Sequence, residues 1–406
     1  MVANVLAYAY QVVMARLLVP TEYAILTAFF ALLILESIGG QVVQSATAKL
    51  VAQYSARGEE AALHVFVSRW LRRILLVAGL PSLAVFLVAL VRPIGPFSQP
   101  ALAIIAVTLC LAIFTTFTLG LLQGLGRFGW LGGTFIAQAL VRLAVGVLLV
   151  AVVFPPMTHL RPVHGAFIGA AAGLAVGVVA SLVPLMPLLR AARGAVHEID
   201  LAASETRFFL LATVIFIGYA ALTYTDGLIA PWRIPDEAGA YAATITMAKI
   251  VLFAPMAIGL ILLERTSRAD ALGQDPDRYL FQSLAFVLAT SGAVALAYLI
   301  APDPLTAIVV GSQYPETARL IGPYGLAALS NALLSLWVAY FTGRGQMGIG
   351  ALLAIAVVVE VALFVFVAAD AFTMVRIVLT VSLVLQAAAV VIYALERARR
   401  TSAATG

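Results

Sequence analysis

Twelve apolar runs of roughly twenty residues, separated by Pro, Gly and charge clusters, restrict this chain more than any other feature. Coiled as an α-helix, each run matches the thickness of a bilayer core. They read as helices over residues 2–19, 22–48, 70–91, 101–122, 130–154, 164–189, 207–230, 238–263, 279–301, 318–342, 348–368 and 374–395. Barrel strands would be about ten residues of alternating polarity, and no stretch here alternates. Composition agrees. Hydrophobic residues are 63% of the 406 and charged residues 11%, with a mean hydropathy of +1.07. Soluble domains carry about 25% charge, so a separate soluble domain is excluded. The expected fold class is an all-α integral membrane protein.

Charge sets the expected orientation. With both termini on the cytoplasmic side, the inside segments hold sixteen Lys and Arg residues and the outside loops six. Arg142 and Lys249 fall inside spans. Such a bias fixes topology in short loops. The net charge of +5 therefore reflects arginines at the cytoplasmic leaflet, and nucleic acid is not an expected partner. Cys110 is the single cysteine, which excludes an intramolecular disulfide and a cysteine metal cluster. His64, His159, His164 and His197 fall outside the predicted span interiors and lack metal-ligand spacing. No cofactor or metal is expected. The first helix starts at Met1 and must turn before Pro20, so a few residues are expected to precede it.

The chain repeats internally. At an offset of 215, Ala15 meets Ala230, Pro20 meets Pro235, Glu22 meets Glu237 and Gly58 meets Gly273. At an offset of 219, Gly-Leu-Gly-Arg-Phe-Gly at 124–129 meets Gly-Arg-Gly-Gln-Met-Gly at 343–348. Six helices thus repeat once. An even number of spans keeps both copies in one orientation, the parallel repeat of transporters that bind substrate between halves. The divisions read as an N-lobe at 1–190, a cytoplasmic linker at 191–206, a C-lobe at 207–395 and a basic tail at 396–406. The two glycine hexapeptides match G-x-G-x-x-G, but a nucleotide loop needs a preceding strand. Tight helix–helix turns explain them instead.

Charges within spans are costly and default to function. Glu36, Arg142, Asp226, Lys249 and Glu360 are such charges. Glu36 maps to position 251, close to Lys249, and Arg142 maps to 361, beside Glu360. Three arrangements stay open: Glu36 with Arg142 and Lys249 with Glu360 inside the lobes, Glu36 with Lys249 across a central cavity, or Lys249 or Arg142 on substrate phosphate or a coupled proton site. Asp226 and Glu360 are the candidate ion or proton sites. Arg16 ends the first helix and either snorkels to the interface or meets substrate. Arg69, Arg72 and Arg73 form a loop-to-helix segment over 64–73 that contacts membrane lipid. Gln41, Gln44, Gln138, Asn331 and Gln386 suit interhelical hydrogen bonds or a sugar path.

Three stretches carry a family resemblance: Y-Q-x-x-M-A-R-L-L-x-P-x-E-Y at 10–23, G-G-x-x-x-Q-S-A at 39–46 and L-L-Q-G-L-G-R-F-G at 121–129. With P-D-E-A-G-x-Y at 235–241, they resemble the Wzx-like polysaccharide branch of the multidrug/oligosaccharidyl-lipid/polysaccharide (MOP) flippase superfamily. The resemblance implies a V of two six-helix lobes, about twelve spans, whose central cavity is lined by helices 1, 2, 7 and 8 and opens alternately to each side. It implies a monomer that moves a polyprenyl-diphosphate-linked oligosaccharide across the cytoplasmic membrane. Partners then include membrane lipids and a polysaccharide polymerase or glycosyltransferases. The lipid II branch carries several arginines in its first helix, where this chain has Asn4, Tyr10 and Gln11. Alternatives are a cation-coupled MATE-like small-molecule exporter, an integral-membrane glycosyltransferase or polymerase, and a scaffolding protein. The outer loops are too short and too poor in acidic residues for an enzyme.

Overall fold

The computed structural model describes residues 2–154, 161–191, 203–271, 275–346 and 348–405. Most of the 191–206 linker, His159, His197 and Gly273 lie outside them. Among the described residues every regular element is a helix, apart from one isolated bridge between Ile94 and Phe97. The chain divides into two compact units, Met1–Thr213 and Val214–Gly406. Ten helices are long and apolar enough to cross a membrane among the described residues; Val2–Leu17 and Ala238–Leu252 are apolar but shorter.

Unit 1 holds α1 (Val2–Leu17), α2 (Pro20–Ala56), α3 (Glu60–Val91), α4 (Gln99–Gly124), α5 (Phe128–Leu148) and α6 (Pro162–Ala191). Pro20 opens α2, where a missing N–H costs nothing. Ser98 caps α4, its hydroxyl accepting from the Ala101 N–H. A π-helical turn, Leu149–Val153, ends α5. The backbones of α5 and α6 nearly touch. A Cβ on Gly169 would lie 2.6 Å from the Gly146 Cα, and one on Gly173 2.6 Å from the Gln138 carbonyl oxygen. Small residues every fourth position permit that approach where lipid supplies no hydrophobic drive between helices. The stripe Gly165, Gly169, Gly173 and Gly177 repeats at a spacing of four in the sequence. Leu75, Leu76, Leu80, Leu83 and Leu87 of α3 are exposed, as lipid-facing side chains are.

Unit 2 holds most of α7 (Ala203–Arg233), then α8 (Ala238–Ala271), α9 (Asp277–Ile300), α10 (Pro302–Val309), α11 (Thr317–Gly343), α12 (Ile349–Phe366) and α13 (Ala371–Thr405). The buried helix α11 packs on α8, α9 and α13. Hydroxyls cross between helices to backbone carbonyls: Ser291 donates to Val251 at 2.7 Å and Tyr298 to Met247 at 2.8 Å.

Two expectations need correction. Residues 64–73 are not a loop leading into a helix: α3 starts at Glu60 and carries Arg69, Arg72 and Arg73 within it. The stretch 302–317, left between the expected spans 279–301 and 318–342, begins with α10. Reading spans by apolar edge misses the first because α3 continues into polar residues beyond its apolar run, and the second because α10 is a separate short helix opened by Pro302. His164 likewise sits in the first turn of α6, where its ring contacts the Ser98 hydroxyl at 2.9 Å.

The repeat is visible bond by bond at the glycine turns. Gly126 has φ +69° and Gly345 φ +68°, both left-handed. After α4, the Arg127 N–H donates to Leu122 and the Gly126 N–H to Gln123. After α11, the Gln346 N–H donates to Phe341 and the Gly345 N–H to Thr342. These are one helix-terminating motif used twice at the offset of 219. Helix pairing also repeats: α2 packs on α4 and α8 on α11, and α4 packs on α6 and α11 on α13. The Pro-x-Glu turns share a role as well. Glu237 accepts the Ala371 N–H at 2.6 Å, at the start of α13. Glu22 faces the Val163 N–H, at the start of α6, and the Arg161 guanidinium. Each glutamate thus serves the exposed N-terminal amides of its unit's last helix.

Candidate functional site

In unit 2 the site is built on Asp226 of α7, which is 2% exposed. Its Oδ2 accepts the Tyr241 hydroxyl of α8 at 2.9 Å and the Tyr324 hydroxyl of α11 at 2.5 Å. Its Oδ1 accepts the Gly227 N–H at 2.7 Å. The two tyrosine rings meet edge to face, 5.7 Å apart at 90°. Lys249 acts on Asp226 electrostatically. Glu360 of α12, also 2% exposed, acts on Asp226, Tyr241 and Tyr324. Its Oε2 is buried with no hydrogen-bond partner. Two buried carboxylates and two hydroxyls thus share one interior, with the part-buried Lys249 acting on it electrostatically. Such a group can hold or release a proton or small cation, because burying both carboxylates charged is costly.

In unit 1 the matching helices carry different chemistry. Arg142 of α5 lays its guanidinium against two rings, 5.2 Å from the centroid of Tyr10 and 5.7 Å from that of Phe30. Tyr10 is fixed by its hydroxyl, which donates to the Ala166 carbonyl at 2.8 Å. Of the open arrangements, the pair of Glu36 with Arg142 is not seen: no ion pair joins them among the described residues. Ring faces take the place of the carboxylate, since they attract a cation through their quadrupole. Arg142 Nε and Glu36 Oε1 are buried without hydrogen-bond partners.

Arg16 lies in the last turn of α1, where a cation suits the helix dipole. Gln44 donates to the Gln123 side chain at 3.0 Å, and Gln386 to the Ser330 carbonyl at 2.8 Å. These two make interhelical bonds. Sequence reasoning missed Tyr241 and Tyr324 as site residues, although Tyr241 closes the Pro-Asp-Glu-Ala-Gly-x-Tyr stretch. It also missed a second cluster where α9 begins and α11 and α13 approach their ends. There Asp277 accepts the Tyr340 and Tyr393 hydroxyls, each at 2.5 Å. Among the described residues no group of three His, Cys, Asp or Glu side chains is placed to hold a metal ion.

The whole chain superposes on solved transporters. An inward-facing multidrug resistance MATE family transporter of the MOP superfamily matches with a TM-score of 0.75 at 13% identity, covering 98% of this chain and 95% of that one. The fold of this chain is the one these solved structures share. An inward closed structure of the lipid II flippase MurJ matches at a TM-score of 0.63 and 12% identity, over 94% of this chain and 84% of that one. A eukaryotic MATE transporter matches at 0.59 and 15% identity, over 97% and 92%. No family model matches the sequence. No curated protein matches it either. Asp226, Glu360 and Arg142 each lie on a helix long and apolar enough to cross a membrane.

Proposed function

We propose that this protein is a flippase for a polyprenyl-diphosphate-linked oligosaccharide in the cytoplasmic membrane, with both termini cytoplasmic. The observation that carries the reading is the turn glutamate. The Pro-x-Glu-Tyr stretch at 20–23 and the Pro-x-Glu stretch at 235–237, which resemble the polysaccharide branch, are built into the fold. Each turn braces its unit's last helix. The likeness to a lipid II flippase over 94% of this chain supports a lipid-linked cargo. Lys249 supplies a cation for the diphosphate. A polysaccharide polymerase or glycosyltransferases stand beside it as partners.

The cation-coupled reading rests on a different observation, the buried Asp226 and Glu360, and joins the first as its energy source. Substrate phosphate drawing Lys249 away would leave Asp226 and Glu360 with uncompensated charge. Uptake of a proton or sodium ion restores the balance, which links cargo to ion. Deleting the gene in its host tests the substrate class. Loss of surface polysaccharide with lipid-linked oligosaccharide accumulating inside supports a flippase. Unchanged polysaccharide with lost resistance to small organic cations supports the exporter.

A further inference from the structure

Arg142 and Glu360 occupy places one residue apart in the two copies of the repeat. Arg142 lies sixteen residues beyond Gly126, and Glu360 fifteen beyond Gly345. The two glycines hold the same turn. Their partners correspond too: Tyr10 precedes Pro20 by ten residues, and Asp226 precedes Pro235 by nine. In unit 1, α1 packs on α5, and Arg142 stacks on Tyr10. In unit 2, α7 meets α12, since Gly350 abuts the Ile215 side chain and Gly218 that of Leu353. Glu360 there acts on Asp226. One helix pair thus carries a cation seated on aromatic rings in one unit and two carboxylates in the other.

A guanidinium stays protonated at any physiological pH and is covalently held. A proton or sodium ion on a carboxylate can leave. We infer that Arg142 is a tethered substitute for an exchangeable cation, so that cation exchange is confined to unit 2. This rests on the cation-coupled reading above. Geometry supports it. The Arg142 guanidinium lies over two ring faces, as free cations do in aromatic cages, and no carboxylate forms an ion pair with it among the described residues. Its Nε is buried with no acceptor. In unit 2 the groups facing the exchange site are Tyr224 on α7, Tyr241 and Lys249 on α8, Tyr324 on α11 and Glu360 on α12. Only the two carboxylates among them can give up a cation and remain as stable anions at neutral pH. The consequence is an asymmetric machine: unit 1 is held in the filled state, and unit 2 alone cycles between filled and empty.

The test uses the full-length chain in lipid nanodiscs, with protons and sodium chloride as probes. Infrared difference spectra report the carbonyl band of a protonated buried carboxyl, and thermal unfolding reports stabilisation by sodium against choline at equal ionic strength. The wild type should show a carboxyl band or a sodium response, lost in Glu360→Gln. Arg142→Gln should lower the unfolding temperature yet keep that response at the wild-type midpoint. Arg142→Lys should restore the stability. Arg142→Glu in the Glu360→Gln background should create a new cation response in unit 1. Loss of the response in Arg142→Gln, or its survival in Glu360→Gln, would overturn the inference. So would a folded double variant that responds to neither cation. If the double variant fails to fold, the Arg142→Gln result decides. A wild type with neither signal would overturn the cation-coupled reading itself.

Discussion

Tyr324 donates its hydroxyl hydrogen to Asp226 Oδ2 across 2.5 Å, tying α11 to α7 inside unit 2. Tyr324→Phe removes that donor and leaves the buried carboxylate with the Tyr241 hydroxyl and the Gly227 N–H. Hydrogen bonds to charged groups contribute about 1.5–3 kcal/mol. The variant should lose stability by an amount in that range and unfold at lower temperature, and Tyr324→Phe with Asp226→Asn should cost less than the two singles summed. A double-mutant cycle on thermal unfolding measures it.

Glu237 bears on folding in another way. Its carboxylate accepts the Ala371 N–H at 2.6 Å, so Glu237→Ala should cost about 1 kcal/mol, as loss of a helix cap does. Amide hydrogen exchange should rise at Ala371 and the next few residues, with α9 and α11 unchanged.

Asp370 gives a dependence on pH. The Thr373 N–H, 2.6 Å from Asp370 Oδ1, holds the carboxyl below its ordinary value, with Thr373's side chain and Arg319 helping. A depressed carboxylate contributes above its unfolded-state pKa of about 3.9. Its contribution fades as pH falls through the lower folded value. Protection of the amides at the start of α13, taken relative to their intrinsic exchange rates, should therefore fall in acid, and Asp370→Asn should flatten that profile.

Gly169 and Gly173 test the packing of unit 1. An alanine Cβ at Gly169 meets backbone at 2.6 Å, which cannot yield without separating α5 from α6. Overpacking of this kind costs about 1–3 kcal/mol. Gly169→Ala should destabilise the protein, whereas Gly129→Ala, whose Cβ meets nothing within 4 Å, should not.

Much of this architecture is legible in the sequence, because span length and turn chemistry are local. The offset between Gly126 and Gly345 was readable from the hexapeptides alone, and the structure repeats it as backbone angles and bonds. Glu22 and Glu237 were readable as a repeated position but not as helix caps, since their amide partners lie far along the chain. The in-span charges were readable as unusual, while their partners were not. Counting signs suggested Glu36 for Arg142. A cation accepts aromatic faces as readily, and Tyr10 and Phe30 carry no sign to count. Tyr241 and Tyr324 escaped for the same reason: a buried carboxylate needs donors, and a neutral hydroxyl is one.

The most direct test of the account is translocation by the purified protein. Proteoliposomes would carry a fluorescent undecaprenyl-diphosphate-linked oligosaccharide, with leaflet position read by access of an external quencher. The account predicts protein-dependent movement between leaflets that responds to a proton or sodium gradient and is lost in Asp226→Asn. No movement of the lipid-linked sugar, together with gradient-driven export of a small organic cation by the same preparation, would contradict it.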